Sequence, residues 1–116
     1  MMTTERDVYC GHLEKVRATL CEPDIYGQLA EECCELAQAA LKMQRVLNAR
    51  NLPAGTETDI LDNVVEEISD VKLCLQLLHL NPDSQVMERK AERWCHRLET
   101  EHEFTRDTFE KGIDNA

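Results

Sequence analysis

The sequence predicts an all-α protein, a four-helix-type bundle of antiparallel helices completed by oligomerisation. Three observations carry that expectation. Only three prolines and four glycines interrupt 116 residues, which leaves room for long helices. Apolar residues recur at helical spacing in four segments, and no run alternates with the period of two that a half-buried strand needs. A chain this short forms one domain, 1–116, with a thin core, so apolar surface is left for a second copy to cover. A homodimer or homotetramer is the expected state.

The first helix is expected from Glu5 to Leu20, after four frayed residues, because Tyr9, Leu13, Val16 and Leu20 form one stripe. Pro23 breaks it and restricts Glu22, and Asp24 is placed to cap the next helix. That second helix runs from Ile25 to Ala49, with Leu29, Cys33, Leu36, Ala40, Met43 and Leu47 as its stripe. Lys42, Arg45 and Arg50 gather toward its C-terminal end, where they complement the helix dipole.

Asn51 to Thr58 must reverse the chain, and it is longer than a minimal helix–helix turn. It is either a plain connector or a wall of a substrate site. The third helix follows from Asp59 to Leu80, capped by Thr58 or Asp59, with Ile60, Val64, Ile68, Val71, Leu75 and Leu78 as its stripe. Asn81-Pro82 reads as a cap followed by a proline at the first helical position. The fourth helix carries Met87, Ala91, Trp94 and Leu98 and is expected to reach residue 103, with 104–116 a loose tail.

Net charge is −10, from 23 acids against 13 bases. Nucleic acids and anionic membranes reward a basic face, so neither is expected as a partner. No apolar run is long enough to span a bilayer or to form a signal peptide. Six cysteines without a CxxC pair read as reduced thiols serving as small hydrophobes, which points to the cytoplasm. His12, His79, His96 and His102 have no metal-binding spacing with one another, and no Glu-x-x-His suggests a di-iron centre.

Two acid pairs remain. Glu32 and Glu35 lie three apart at the edge of the second helix's stripe, and Glu67 and Asp70 repeat that spacing on the third. On a helical wheel Glu32 and Glu67 each fall about 60° from their stripe's centre, and Glu35 and Asp70 about 120°. Acid pairs on an acidic protein are commonly just solvated surface. Two pairs at one matched offset can instead converge at a seam, where four uncompensated anions call for a cation. Oxygen-only ligation selects a hard ion, so Glu32, Glu35, Glu67 and Asp70 are candidate ligands for Mg²⁺, with Mn²⁺ possible.

The segments LAEECCELAQAAL, with EExxE at Glu31, Glu32 and Glu35, and VVEEISDVKLCLQLL, with ExxD at Glu67 and Asp70, resemble the MazG-type all-α nucleoside triphosphate pyrophosphohydrolases. KAERWCHRL is similar to that family's fourth helix, so the likeness covers roughly residues 24 to 99. It implies hydrolysis of a (deoxy)nucleoside triphosphate to the monophosphate and pyrophosphate, of the kind that cleans nucleotide pools. It also implies that Glu32, Glu35, Glu67 and Asp70 bind metal. Glu31 matches a position that either activates or orients the attacking water or is a surface residue one step round the helix.

Triphosphate charge also needs basic partners, and Lys42, Arg45, Lys72, Arg89, Lys90 and Arg93 are the candidates. Two features depart from the family pattern. The connection between the motifs is longer than in compact members, and Cys74 stands where several relatives have a nucleotide-touching tyrosine. Trp94 invites base stacking, but its place in an apolar stripe favours packing. The competing reading is a non-catalytic acidic helical bundle that binds a nucleotide or a protein partner.

Overall fold

A computed structural model describes residues 2–114, with side chains described for residues 2–101. All regular structure among the described residues is helical: α1 (Glu5–Thr19), α2 (Glu22–Leu47), α3 (Glu57–Leu77) and α4 (Ser84–Asp114). The chain divides into two compact units, Met1–Asn81 and Pro82–Ala116.

Local chemistry sets the helix starts. Thr4 and Thr56 each accept from the backbone N–H three residues on, and Asp7 and Asp59 return the bond to the cap's own N–H. These are two complete capping boxes, with an acid favourably placed in the first turn. The cap of α3 is therefore Thr56, two residues before the expected one. Cys21, not Asp24, is the N-cap of α2, and Pro23 lies inside its first turn. Proline costs nothing there, because first-turn N–H groups have no helical partner. Asp24 instead accepts a hydrogen bond from the Cys21 thiol at 2.8 Å. At the start of α4, Asp83 rather than Asn81 does the capping, its Oδ1 accepting from the backbone N–H of Gln85 and Val86.

Helices α2 and α3 end alike. Arg50 N–H reaches back to Arg45 O and Leu80 N–H to Leu75 O, with Ala49 (φ 53°) and His79 (φ 55°) in the left-handed region between. This is the Schellman closure that glycine usually supplies.

In the first unit α2 packs antiparallel on α3, Ile25 lying near Leu77 and Glu32 near Asp70, and α1 packs on α3. Leu13, Ile25 and Leu77 form the buried cluster, with Val16 and Leu78 against it. Arg17 of α1 donates from Nε to Leu77 O at 3.0 Å and from Nη2 to Gln76 O at 2.8 Å. It thereby adds donors to the last carbonyls of α3, of which Gln76 O also accepts from the His79 backbone N–H at 3.1 Å.

The stripes differ from the expected ones. The inward residues of α2 are Ile25, Leu29, Glu32, Leu36, Ala39, Met43 and Val46, whereas Cys33, Ala40 and Leu47 face solvent. The inward residues of α3 include Ile60, Val64, Glu67, Asp70, Val71, Cys74 and Leu77, and Ile68 is exposed. The α2 set alternates steps of four and three, the coiled-coil period, the α3 set forms a broader face, and both contain carboxylates. Leu29, Leu36 and Met43 belong to either phase of α2, so the apolar residues alone do not choose between them.

In the second unit the stripe of α4 is exposed, and Trp94 keeps 61% of its surface open. Its expected packing role is not met among the described residues. The helix passes residue 103 and ends at Asp114. The side chains of the expected tail, 104–116, lie outside the described residues, as does the backbone of 115–116.

Candidate metal centre

Helical repeat places the two acid pairs. Glu32 sits between Leu29 and Leu36 on the inner face of α2, and Glu35 is one turn further on, nearer solvent. Across the seam, Glu67 and Asp70 occupy successive inward steps of α3. One carboxylate oxygen from each of Glu32, Glu35, Glu67 and Asp70 lies within 4.8 Å of all the others. Glu32, Glu67 and Asp70 are half-buried and Glu35 is exposed, so the cluster opens on the Glu35 side. Four oxygens at such spacing can hold one metal ion.

The cluster is under electrostatic stress. Gln28, one turn before Glu32, donates from Nε2 to Glu32 Oε1 at 2.8 Å, which by itself lowers the Glu32 pKa. Burial and the charges of Glu35 and Asp70 outweigh it, and the Glu32 carboxyl titrates above its ordinary range. Glu32 Oε2 and Glu67 Oε2 are buried and have no hydrogen-bond partner among the described residues. Buried acceptors are nearly always paired, so two orphans in one cluster mark a place where another group belongs.

Cys74 lies one turn past Asp70, 4% exposed, in the floor of the same seam. Burial pushes its thiol up, and the nearby carboxylates of Glu32 and Asp70, with Cys33, push in the same direction. It is a neutral packing residue beneath the acids. All six cysteines are free thiols, and only Cys74 is buried, so Cys33 does not share its role.

The remaining candidates separate. Glu31 is exposed, next to Glu32 but outside the four-oxygen cluster. Arg45 donates to Asn51 O at 3.2 Å and so ties the loop back to α2. Lys42 and Lys72 are exposed on α2 and α3. Arg89, Lys90 and Arg93 are exposed on α4, in the other unit. Gln28 was missed by sequence reasoning, although a glutamine four residues before a candidate ligand is a readable signal. Among the described residues no helix is long and apolar enough to cross a membrane.

No protein-family model, curated protein or solved structure matches this chain.

Proposed function

We propose that the chain is a metal-dependent nucleoside triphosphate pyrophosphohydrolase of the MazG-like kind, converting a (deoxy)nucleoside triphosphate to the monophosphate and pyrophosphate. The observation that carries the reading is the four-carboxylate cluster with its two buried, unpartnered oxygens, Glu32 Oε2 and Glu67 Oε2. The donor set fits a hard divalent ion, Mg²⁺ first and Mn²⁺ second, held by Glu32, Glu35, Glu67 and Asp70. Such an ion supplies neutralisation of triphosphate charge and polarisation of the α-phosphorus. Four facing anions favour a cation at the cluster, and the competing reading, a non-catalytic acidic bundle that binds a nucleotide or a protein partner, is separated from the enzyme by the turnover test below.

The chain's own groups have distinct tasks in this reaction. Gln28 fixes the Glu32 carboxylate through Oε1 and leaves Oε2 for the cation. Glu31, exposed and next to Glu32 in sequence, is the candidate for activating or orienting the attacking water. Lys42 and Lys72, on the helices that carry the cluster, are the candidates for contacts to the phosphates. Leu41 on α2 and Leu61, Val65 and Ile68 on α3 stay exposed, and a second copy in a cytoplasmic homodimer or homotetramer would cover them.

Pyrophosphate release from a panel of deoxy- and ribonucleoside triphosphates with Mg²⁺ tests the reading. At least one triphosphate should turn over, and Glu32→Gln and Glu67→Gln should each lower kcat by about a hundredfold or more. Absence of turnover with every triphosphate would sink the activity. Turnover undiminished in both variants would move the site elsewhere.

A further inference from the structure

A second cavity lies on the other flank of α3. It has a volume of about 330 Å³ and is lined by Arg6, Tyr9, Cys10 and Leu13 of α1 and by Gln76, His79, Leu80 and Asn81 at the end of α3. That volume is at the lower end of the range for small-molecule sites. The acidic seam lies between α2 and α3, whereas this cavity lies between α1 and α3, and none of the four carboxylates lines it.

Its composition is the reverse of the chain's. The protein carries 23 acids, yet no aspartate or glutamate lines this cavity, while Arg6 and His79 do. Each of its polar side chains can donate a hydrogen bond. The Tyr9 hydroxyl donates to Gln76 Oε1, so the acceptor end of that carboxamide is already engaged and Nε2 is left to donate. The Arg6 guanidinium has no partner among the described residues and offers five N–H donors. Asn81 adds another amide, and His79, in a left-handed turn, also lines the cavity. Leu13, Leu80 and the Tyr9 ring provide an apolar wall.

We propose that this α1–α3 cavity binds a small phosphate monoester, with the phosphate on Arg6, His79 and Gln76 Nε2 and a compact ring or apolar body against Tyr9, Leu13 and Leu80. A carboxylate-free, donor-rich pocket in so acidic a chain selects an anion, and Arg6 matches phosphate geometry in particular. The apolar wall selects an ester over the bare ion. The site is independent of the pyrophosphohydrolase reading, and neither depends on the other being right.

Cys10 gives a local readout, because its exposed thiol lines the cavity. The test combines calorimetry with alkylation of the full chain, using the four deoxynucleoside monophosphates and inorganic phosphate as probes, in EDTA so that the acidic cluster holds no metal. At least one monophosphate should bind and slow iodoacetamide labelling of Cys10 severalfold, read by peptide mass spectrometry, with labelling of Cys95 unchanged. Arg6→Ala, a substitution on an exposed helix surface, should weaken binding about tenfold, while Arg97→Ala leaves it intact. Failure of every monophosphate to bind at millimolar concentration overturns the proposal. So does binding that leaves Cys10 labelling unchanged, or inorganic phosphate binding as tightly as the best monophosphate. Pyrophosphate release is not measured, so none of these outcomes bears on the acidic cluster.

Discussion

The seam between α2 and α3 is built in two manners along one helix pair. At the end covered by α1 it is apolar, with Ile25 and Leu77 closed over by Leu13 and sealed by Arg17 on the last carbonyls of α3. Two turns along, the same inward positions carry Glu32, Glu67 and Asp70, with Glu35 beside them. Backbone geometry and period do not change between the regions; the side chains do. The apolar end contributes stability, and the acidic middle costs stability until something neutralises it. A sequence that spends inward positions on mutually repelling carboxylates trades fold stability for a site.

Removing an anchor at the apolar end should produce the largest change. Leu77→Ala deletes a side chain that is 9% exposed and packed against Leu13 and Ile25, and should cost about 2–4 kcal/mol in urea unfolding. If the loss is below half a kcal/mol, the apolar end is not what holds the pair together.

Magnesium should produce the next largest effect, and at the other region. With Mg²⁺ at about a hundred times its Kd, wild-type unfolding should rise by about 2.7 kcal/mol, whereas Glu32→Gln and Glu67→Gln should gain much less. Leu77→Ala should gain as much as the wild type, because its lesion lies outside the cluster. Equal stabilisation of the glutamine variants by Mg²⁺ would place the ion elsewhere.

Much of this arrangement is legible in the sequence, and the limit is instructive. Four helices, their order and the pairing of Glu32 and Glu35 with Glu67 and Asp70 follow from spacing alone. The phase of the stripes does not. A reader who builds a core from apolar residues selects Cys33, Ala40 and Leu47 on α2, because Glu32 looks like surface. Burial selects Glu32, Ala39 and Val46 instead. The error is a rotation of roughly 50–60°, about half the step between neighbouring residues, and it arises where the chain departs from the rule that inward means apolar. The helix ends escaped for a related reason. Ala49 and His79 hold left-handed turns without the glycine that signals them, and Thr56 caps α3 from within what reads as loop.

The loop end of the seam allows a smaller adjustment. Ala49 sits at φ 53°, where an L side chain with a Cβ is strained by about 1 kcal/mol, and glycine is not. Ala49→Gly should therefore stabilise the protein by up to that amount in thermal unfolding, offset in part by the freer unfolded chain. Mg²⁺ affinity should be unaltered, since Ala49 lies outside the cluster. A loss of stability would show that the turn is not strained.

The smallest shift is the one that most directly tests whether the acidic middle opposes folding. Glu32 titrates above its ordinary range in the folded chain: the Gln28 bond pulls it down, but burial and the charges of Glu35 and Asp70 prevail. In the unfolded chain it titrates in that ordinary range. As pH rises through the interval between the two values, the native state holds the proton longer and the unfolded state releases it first. Stability is then present below the interval and lost as pH climbs through it. Glu32→Gln cannot lose a proton, so in EDTA its Tm should track the wild type at acid pH and exceed it at neutral pH. Saturating Mg²⁺ should invert the neutral-pH order, because only the wild type then has four carboxylates to hold the ion. A Tm difference in EDTA that stays constant from acid to neutral pH would mean that the carboxylates do not repel one another in the fold. The contrast between the two regions would then rest on shape alone.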